Sequence, residues 1–350
     1  MKKSFISAIR DQYTKVPPVA QADLTGKIVI VVGANTGLGF EASKHLARMN
    51  PGKLILACRN EEKGNAAVEG IKQATGFGRA EVWQVDLSKF SSVIAFADRF
   101  EREGGRLDIL LANAGVGLDK YRPTEDGWEE SLQVNNLSTS LLCLRLAPRL
   151  VETSMKYAGT RPRIVVVSSE MHYGVSFPEK VYDDGQESSF RVLSSREYCA
   201  AIMPGATRYA ETKLLNVFFT LSLSELLKDT PVVVNTVTPG YCYSDLARNA
   251  SAVQALADRI AKAILARSTE KGARQLVYAA VGGEEKVDTL RGAFVNLHRA
   301  DEPDDYVLGE EGKKRGDKLW NDLILELSKV DGRVLEIVQE YSANRGAKST

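Results

Sequence analysis

A β-branched run from Lys27 to Val32 passes without a break into Gly33-Ala-Asn-Thr-Gly37-Leu-Gly39, and from there into Phe40 to Met49, where apolar residues recur at helical spacing. A run that is apolar at every position has the pattern of a strand buried on both faces of a parallel sheet. Strand, glycine-rich turn and helix in that order point to an α/β fold with the turn at the ligand-bearing edge of the sheet. The turn lets backbone approach a pyrophosphate closely, and the helix N-terminus adds unpaired N–H groups and a partial positive charge. The spacing is GxxxGxG rather than GxGxxG, so a tight turn without a ligand stands beside that reading.

The alternation continues. Strands are predicted at Leu54 to Cys58, Glu81 to Val85, Leu107 to Leu111, Arg163 to Ser169, Val232 to Val237 and Gly292 to Leu297. Helices are predicted at Glu61 to Gln73, Ser88 to Phe100, Glu125 to Leu150, Arg208 to Leu227, Val253 to Leu265 and Glu270 to Val281. With 350 residues the length alone suggests about two domains, but no break in composition divides the chain. The expected architecture is one doubly wound, Rossmann-like α/β domain over residues 26–300 with a mostly parallel seven-stranded sheet. A polar leader (1–25) precedes it and a helical tail (301–350) follows.

Residues 170–207 lack clean periodicity, and a loop of this length reads as a substrate lid, about 174–207. Phe177, Tyr182 and Phe190 there, with Tyr241 and Tyr243 farther on, suggest an apolar substrate such as a lipid, terpenoid, polyketide or other secondary metabolite. In the tail, Leu319, Trp320, Leu323, Val334, Ile337, Val338 and Tyr341 share one helical face, which reads as a helix laid on the core in preference to peripheral membrane contact.

Apolar content of 44% with 26% charged residues excludes wholesale disorder. The balance of 46 basic against 45 acidic residues, with no long basic block, argues against nucleic acid as a partner. Four cysteines, with no CxxC pair, read as small buried hydrophobes in a reducing compartment, and no metal site is expected. No apolar stretch of about 20 residues is present to span a membrane, and a cytoplasmic location is the expectation.

The chemistry gathers on Tyr209-Ala-Glu-Thr-Lys213. Residues four apart share a helix face, and a neighbouring ammonium favours the phenolate, which suits Tyr209 and Lys213 to act as an acid/base pair. Of twelve tyrosines, only Tyr209 has a lysine four residues on. Arg59 ends the second strand, where an acid would accept a ribose 2′-OH and an arginine accommodates a 2′-phosphate; this favours NADP over NAD. Asp86 ends the third strand and either accepts from an adenine amino group or caps the next helix. Ala112-Asn113-Ala-Gly115 lets backbone lie against a cofactor. Asn135, inside a predicted helix, holds a water or a carbonyl near the site, and Ser169 either donates to a carbonyl oxygen or caps the strand end.

Taken in order, Gly33 to Gly39, Asp86, Asn113-Ala-Gly115, Asn135, Ser169, Tyr209 with Lys213, and Pro239-Gly240 resemble the short-chain dehydrogenase/reductase family over about residues 25–300. Gly33 to Gly39, Ala57-Cys-Arg-Asn60, Tyr209 to Asn216 and Lys318-Leu-Trp320 are similar to its retinol-dehydrogenase-like and WW-domain-oxidoreductase-like branch. The resemblance implies an NADP-dependent oxidoreductase acting on a small hydrophobic alcohol, ketone or aldehyde. Tyr209 would be the acid/base, Lys213 would lower its pKa and bind nicotinamide ribose, Ser169 would orient the carbonyl, and Asn135 would hold a relay water. Gly33, Asn35, Thr36, Gly37, Leu38, Gly39, Arg59, Asn60, Asp86, Leu87, Asn113, Ala114, Gly115, Pro239, Gly240 and Ser244 would line the cofactor together with Tyr209 and Lys213. A non-catalytic NADP-binding sensor or scaffold of the same fold is the alternative.

Overall fold

The computed structural model describes residues 5–183, 187–203, 205–243 and 265–347. Ser244 and nearly all of the helix expected from Val253 to Leu265 lie outside them. In chain order the strands are β1 (Ile28–Val32), β2 (Lys53–Cys58), β3 (Ala80–Gln84), β4 (Ile109–Ala112), β5 (Arg163–Val167), β6 (Val233–Val237), β7 (Phe294–Asn296) and β8 (Arg299–Asp301). They form one eight-stranded sheet in the order β3-β2-β1-β4-β5-β6-β7-β8. The first seven run parallel, and the order reverses between β1 and β4.

The expected seven strands become eight because the chain turns back after β7 as an antiparallel hairpin. Its turn residues Leu297 (φ 49°) and His298 (φ 59°) both adopt left-handed backbone. Such a turn normally carries Asn or Gly, so nothing in the sequence announced it. The ring of His298 stacks on Tyr278, with centroids 4.5 Å apart, which holds the turn against its neighbour.

The main helices are α1 (Phe5–Tyr13), α2 (Gly37–Arg48), α3 (Glu61–Thr75), α4 (Phe90–Glu103), α5 (Ser138–Lys156), α6 (Ser189–Ser194), α7 (Arg196–Ile202), α8 (Thr207–Leu226), α9 (Thr269–Val281), α10 (Gly309–Val330) and α11 (Arg333–Ala347). Successive strand residues point to opposite faces, so Ile30 and Val32 join a core with α4, α5, α8, α10 and α11. Val29 and Val31 join a second core with α2, α3 and α9. Both sheet faces are therefore covered, which is why β1, β2 and β5 read as nearly unbroken apolar runs.

Three expectations change in detail. The helix expected from Glu125 begins only at Glu130, because Glu129 caps it, accepting from Ser131 N and Leu132 N at 2.9 Å each, while Asp126 is turned to cap α4 through Phe90 N at 2.8 Å. The lid segment is not a loop: short 3₁₀ turns (Glu170–Gly174, Glu179–Val181) precede α6 and α7. It packs on the tail through Ser189 N to Asp322 Oδ2 (2.6 Å), Ser188 Oγ to Glu326 Oε1 (2.8 Å) and Phe177 N to the Tyr306 hydroxyl (3.1 Å), and Phe177 and Phe190 are buried there. The leader contains α1, with Asp11, Val16 and Leu24 all buried.

The tail behaves as a core cover. Leu319, Leu323, Leu327, Val334, Ile337 and Tyr341 are buried against the sheet's helical layer, so that face is not offered to a membrane. No helix among the described residues is long and apolar enough to cross a membrane. The four cysteines are buried and unpaired, and burial pushes their thiols up to about 11 or 12, which leaves them inert at neutral pH.

Candidate active site

The glycines after β1 divide by job. At Gly33, with φ +75°, a Cβ would stand 2.9 Å from the Ala114 backbone; at Gly39 it would stand 2.3 Å from Gly33 O and 2.6 Å from Asn113 Nδ2. These two allow the turn to pack against the loop after β4, a role their spacing did not distinguish from ligand contact. Gly37, with φ +60°, meets nothing within 4 Å on that side and opens on free space. Asn113 ties the two loops together by donating to Val32 O at 3.1 Å and Gly33 O at 3.2 Å. Ahead of α2, Asn35 is half-buried and Thr36 is exposed, and the Thr36 hydroxyl makes no capping bond.

Other expected cofactor residues separate in the same way. Arg59 is exposed at the end of β2, and its guanidinium has no partner among the described residues. Asn60 caps α3 instead, accepting from Lys63 N at 2.8 Å, which directs its oxygen away from a ligand. Asp86 closes a local turn, Oδ1 accepting from Ser88 N (3.0 Å) and Ser88 Oγ (2.7 Å), and leaves Oδ2 as an acceptor; the helix cap comes from Asp126. Leu87 is a core side chain, and Leu38 and Ala114 pack partly against the cores, so these three have mainly backbone to offer. Pro239 and Gly240 follow β6, and a Cβ at Gly240 (φ +74°) would stand 2.7 Å from Arg267 Nη1. Among the described residues, Gly37, Thr36, Arg59 and Asp86 are left with free capacity, and they lie at the C-terminal ends of β1, β2 and β3.

The acid/base pair sits on α8, across from the end of β5. Lys213 Nζ donates to Val167 O at 2.9 Å, Asn216 Nδ2 reaches the same oxygen at 3.2 Å, and Ser168 Oγ returns a bond to Lys213 O at 2.7 Å. These contacts pin one strand end to one helix turn. The ammonium lies 5.3 Å from the centroid of the Tyr209 ring, and the Tyr209 hydroxyl has no hydrogen bond among the described residues. Burial holds the phenol above its usual range and pulls Lys213 down to about 8. Burial opposes the charged form of each group, and one hydrogen bond to Val167 O leaves the ammonium two further protons.

Ser169 fulfils the capping alternative: its Oγ accepts from Met171 N at 3.2 Å, which leaves its hydroxyl proton to donate. Asn135 belongs to a π-turn, Gln133–Leu137, that the sequence did not disclose. Its amide holds backbone, accepting from Val116 N and donating to Val116 O, each at 2.8 Å, and also donates to Thr212 Oγ1 at 2.9 Å. A Cβ on Gly115 would stand 3.3 Å from Asn135 Oδ1 and 3.4 Å from Lys213 Nζ, so glycine keeps the space between these two groups clear. Neighbouring Asn136 donates to Thr212 O (2.8 Å) and Asn216 Oδ1 (2.6 Å), extending the same bracing.

A buried charge cluster beside Tyr209 escaped sequence reasoning. Arg208, about 1% exposed, meets Glu129 through Nε at 2.8 Å and Glu211 through Nη1 at 3.3 Å. Tyr198 of α7 donates to Glu211 Oε1. Burial raises the Glu211 carboxyl against the pull of Tyr198 and Arg208, whereas Arg208 is held above its usual range by Glu129 and Glu211 despite burial. Only the run of charged letters around Tyr209 signalled it, and charged letters usually mean solvent.

The sequence profile of the family described as short chain dehydrogenase matches residues 27–182. The short chain dehydrogenase/reductase dmxR8 of Cryptosporiopsis sp. is 34% identical over 323 residues, covering 91% of this chain and 96% of that protein. The short chain dehydrogenase atnD of Emericella nidulans is 36% identical over 308 residues, covering 85% and 94%. Among solved structures, an uncharacterized protein from Mycobacterium Paratuberculosis is similar with a TM-score of 0.58 and 26% identity, over 87% of this chain and 96% of that one.

Proposed function

This chain belongs to the short-chain dehydrogenase/reductase family and is an oxidoreductase, and on that premise we propose that it transfers a hydride between NADP(H) and a hydrophobic alcohol, ketone or aldehyde. The observation that carries the reading is the pairing on α8: a phenol whose hydroxyl has no hydrogen bond among the described residues, and a lysine fixed on Val167 O at the sheet edge that also bears the glycine turn.

The dinucleotide, when bound, supplies or accepts the hydride. In the reducing direction Tyr209 gives its hydroxyl proton to the substrate oxygen as negative charge develops there, and in the oxidising direction it takes that proton. Ser169 donates its remaining hydroxyl proton to the same oxygen, a second donor where charge appears. Lys213 contributes positive charge beside the phenol and, from its place on Val167 O, is the group to meet a nicotinamide ribose. With a pKa of about 8 it remains mostly protonated at neutral pH. Asn135 keeps the loop after β4 and α8 at fixed separation, with one lone pair of Oδ1 left for a relay water. Gly37, Thr36 and the N-terminus of α2 would receive the pyrophosphate, Asp86 Oδ2 the adenine, and Arg59 a 2′-phosphate.

With Phe177 and Phe190 buried and Tyr182 half-buried with its hydroxyl on that of Tyr306, the apolar character of the substrate rests most on Tyr241 and Tyr243, both exposed after β6. A lipid-like or secondary-metabolite carbonyl compound fits that reading.

The cofactor assignment has its own test. Arg59→Asp replaces a donor to phosphate with an acceptor for ribose hydroxyls, and the loss of a charge-assisted contact weakens NADPH binding about tenfold or more. NADH binding holds or improves. Titration of intrinsic fluorescence with both dinucleotides reads the ratio, and an unchanged preference in the variant would remove Arg59 from the site.

A further inference from the structure

α1 lies across the loop that follows β6, and its last residues are tied to that loop at several points. Gln12 uses both ends of its amide: Nε2 donates to Tyr241 O at 2.7 Å and to Leu265 O at 2.6 Å, and Oε1 accepts from Tyr241 N at 3.0 Å. Cys242 and Arg267 meet in a parallel bridge, Arg267 N bonding Tyr241 O at 2.9 Å and Tyr243 N bonding Arg267 O at 3.1 Å. The guanidinium of buried Arg267 then turns under the C-terminal end of α1, where it meets Asp11 O, Gln12 O (3.2 Å) and Thr14 O (3.4 Å). Carbonyls at a helix C-terminus lack intrahelical partners and carry partial negative charge, so a buried arginine suits them.

The same helix is linked to the loop after β5 through Asn296 of β7. Asp11, about 5% exposed, stands 3.4 Å from the amide of Asn296, which also faces Glu170 at 3.4 Å and Asp301 at 3.2 Å. Glu170 follows Ser169 directly. Gly240 completes the arrangement, because any side chain there would meet Arg267 at 2.7 Å and Gln12 Oε1 at 3.2 Å. One short helix, outside the residues matched by the family profile, thus touches the loop after β6 and, through Asn296, is linked to the loop after β5.

We propose that α1 is a positioning element of the active site, in which Gln12 holds Pro239-Gly240-Tyr241 in the conformation that receives the dinucleotide. The inference rests on the proposed NADP(H) reading, since that reading places Pro239 and Gly240 against the cofactor. Gln12 touches no reacting atom; it acts through the backbone of Tyr241.

The test compares the full-length protein with Gln12→Met, which keeps the length of the side chain and removes both polar ends. Three readouts are taken: the NADPH dissociation constant by fluorescence titration, hydrogen exchange at the Tyr241 amide, and melting temperature. The expected result is NADPH binding weaker by about tenfold, the scale of one or two lost hydrogen bonds to backbone, with faster exchange at Tyr241 and a melting temperature within a few degrees of the parent. Equal NADPH affinity in parent and variant overturns the proposal while leaving the cofactor reading intact. Weaker binding accompanied by a large fall in melting temperature also overturns it, since Gln12 would then be only a stability contact. A parent protein that does not bind NADPH overturns the cofactor reading and this inference with it.

Discussion

Tyr209→Phe is expected to lower turnover by about 10²–10⁴-fold, the range of a positioned proton donor or acceptor, without loss of fold. The substitution removes one oxygen that has no hydrogen bond among the described residues, so no partner is stranded. The ring remains in place beside Lys213, 5.3 Å from its ammonium. Lys213 continues to donate to Val167 O, and Thr212 Oγ1 to Tyr209 O at 2.7 Å, since neither contact uses the phenol oxygen. Affinity for NADPH and melting temperature therefore stay close to the parent while the rate collapses. Measuring NADPH oxidation alongside those two quantities separates a lost proton from a damaged site. A variant retaining most of its rate would show that another group moves the proton.

The largest expected effect on stability lies one residue earlier. Arg208→Met leaves Glu129, which is 0% exposed, without its counter-charge, and the loss of one partner from a buried ion pair costs about 3–5 kcal/mol. Glu129 still accepts from Ser131 N and Leu132 N, but backbone dipoles do not replace a guanidinium at 2.8 Å. Glu211→Gln serves as the contrast. Its carboxyl is already raised by burial, so an uncharged replacement of the same shape costs much less. Urea denaturation of both variants decides the point: equal and small effects would mean that water reaches the cluster and screens it.

The parts of the molecule legible in the sequence were those fixed by local pattern. Continuous apolar runs marked β1, β2 and β5 because both faces of the sheet are buried there, and the apolar stripe through Leu319, Val334 and Tyr341 marked a tail packed on the core. Tyr209 with Lys213 was legible because helical spacing brings residues four apart onto one face.

The rest was decided by contacts between segments far apart in the chain. β8 was missed because its turn uses Leu297 and His298 in left-handed backbone, with no glycine to mark it. Gly33 and Gly39 looked like ligand-facing glycines, yet each clears room for the loop after β4. Asn60 and Glu129 were assigned respectively to a ligand and to a helix interior, and both turned out to cap helices. The burial of Phe177 and Phe190 depends on a tail more than a hundred residues later, and the role of Gln12 depends on Tyr241. No window of sequence contains either partner pair.

Direct transfer of label tests the central claim. The protein would be incubated with NADPH doubly deuterated at the reducing carbon of its nicotinamide and with a panel of hydrophobic ketones and aldehydes, and the products examined by mass spectrometry. Hydride transfer predicts an alcohol carrying one deuterium on the former carbonyl carbon, formed by the parent protein and lost in Tyr209→Phe. NADPH bound tightly, with no deuterium in any product, would contradict catalysis on such carbonyls and return the protein to the reading of a cofactor-binding sensor.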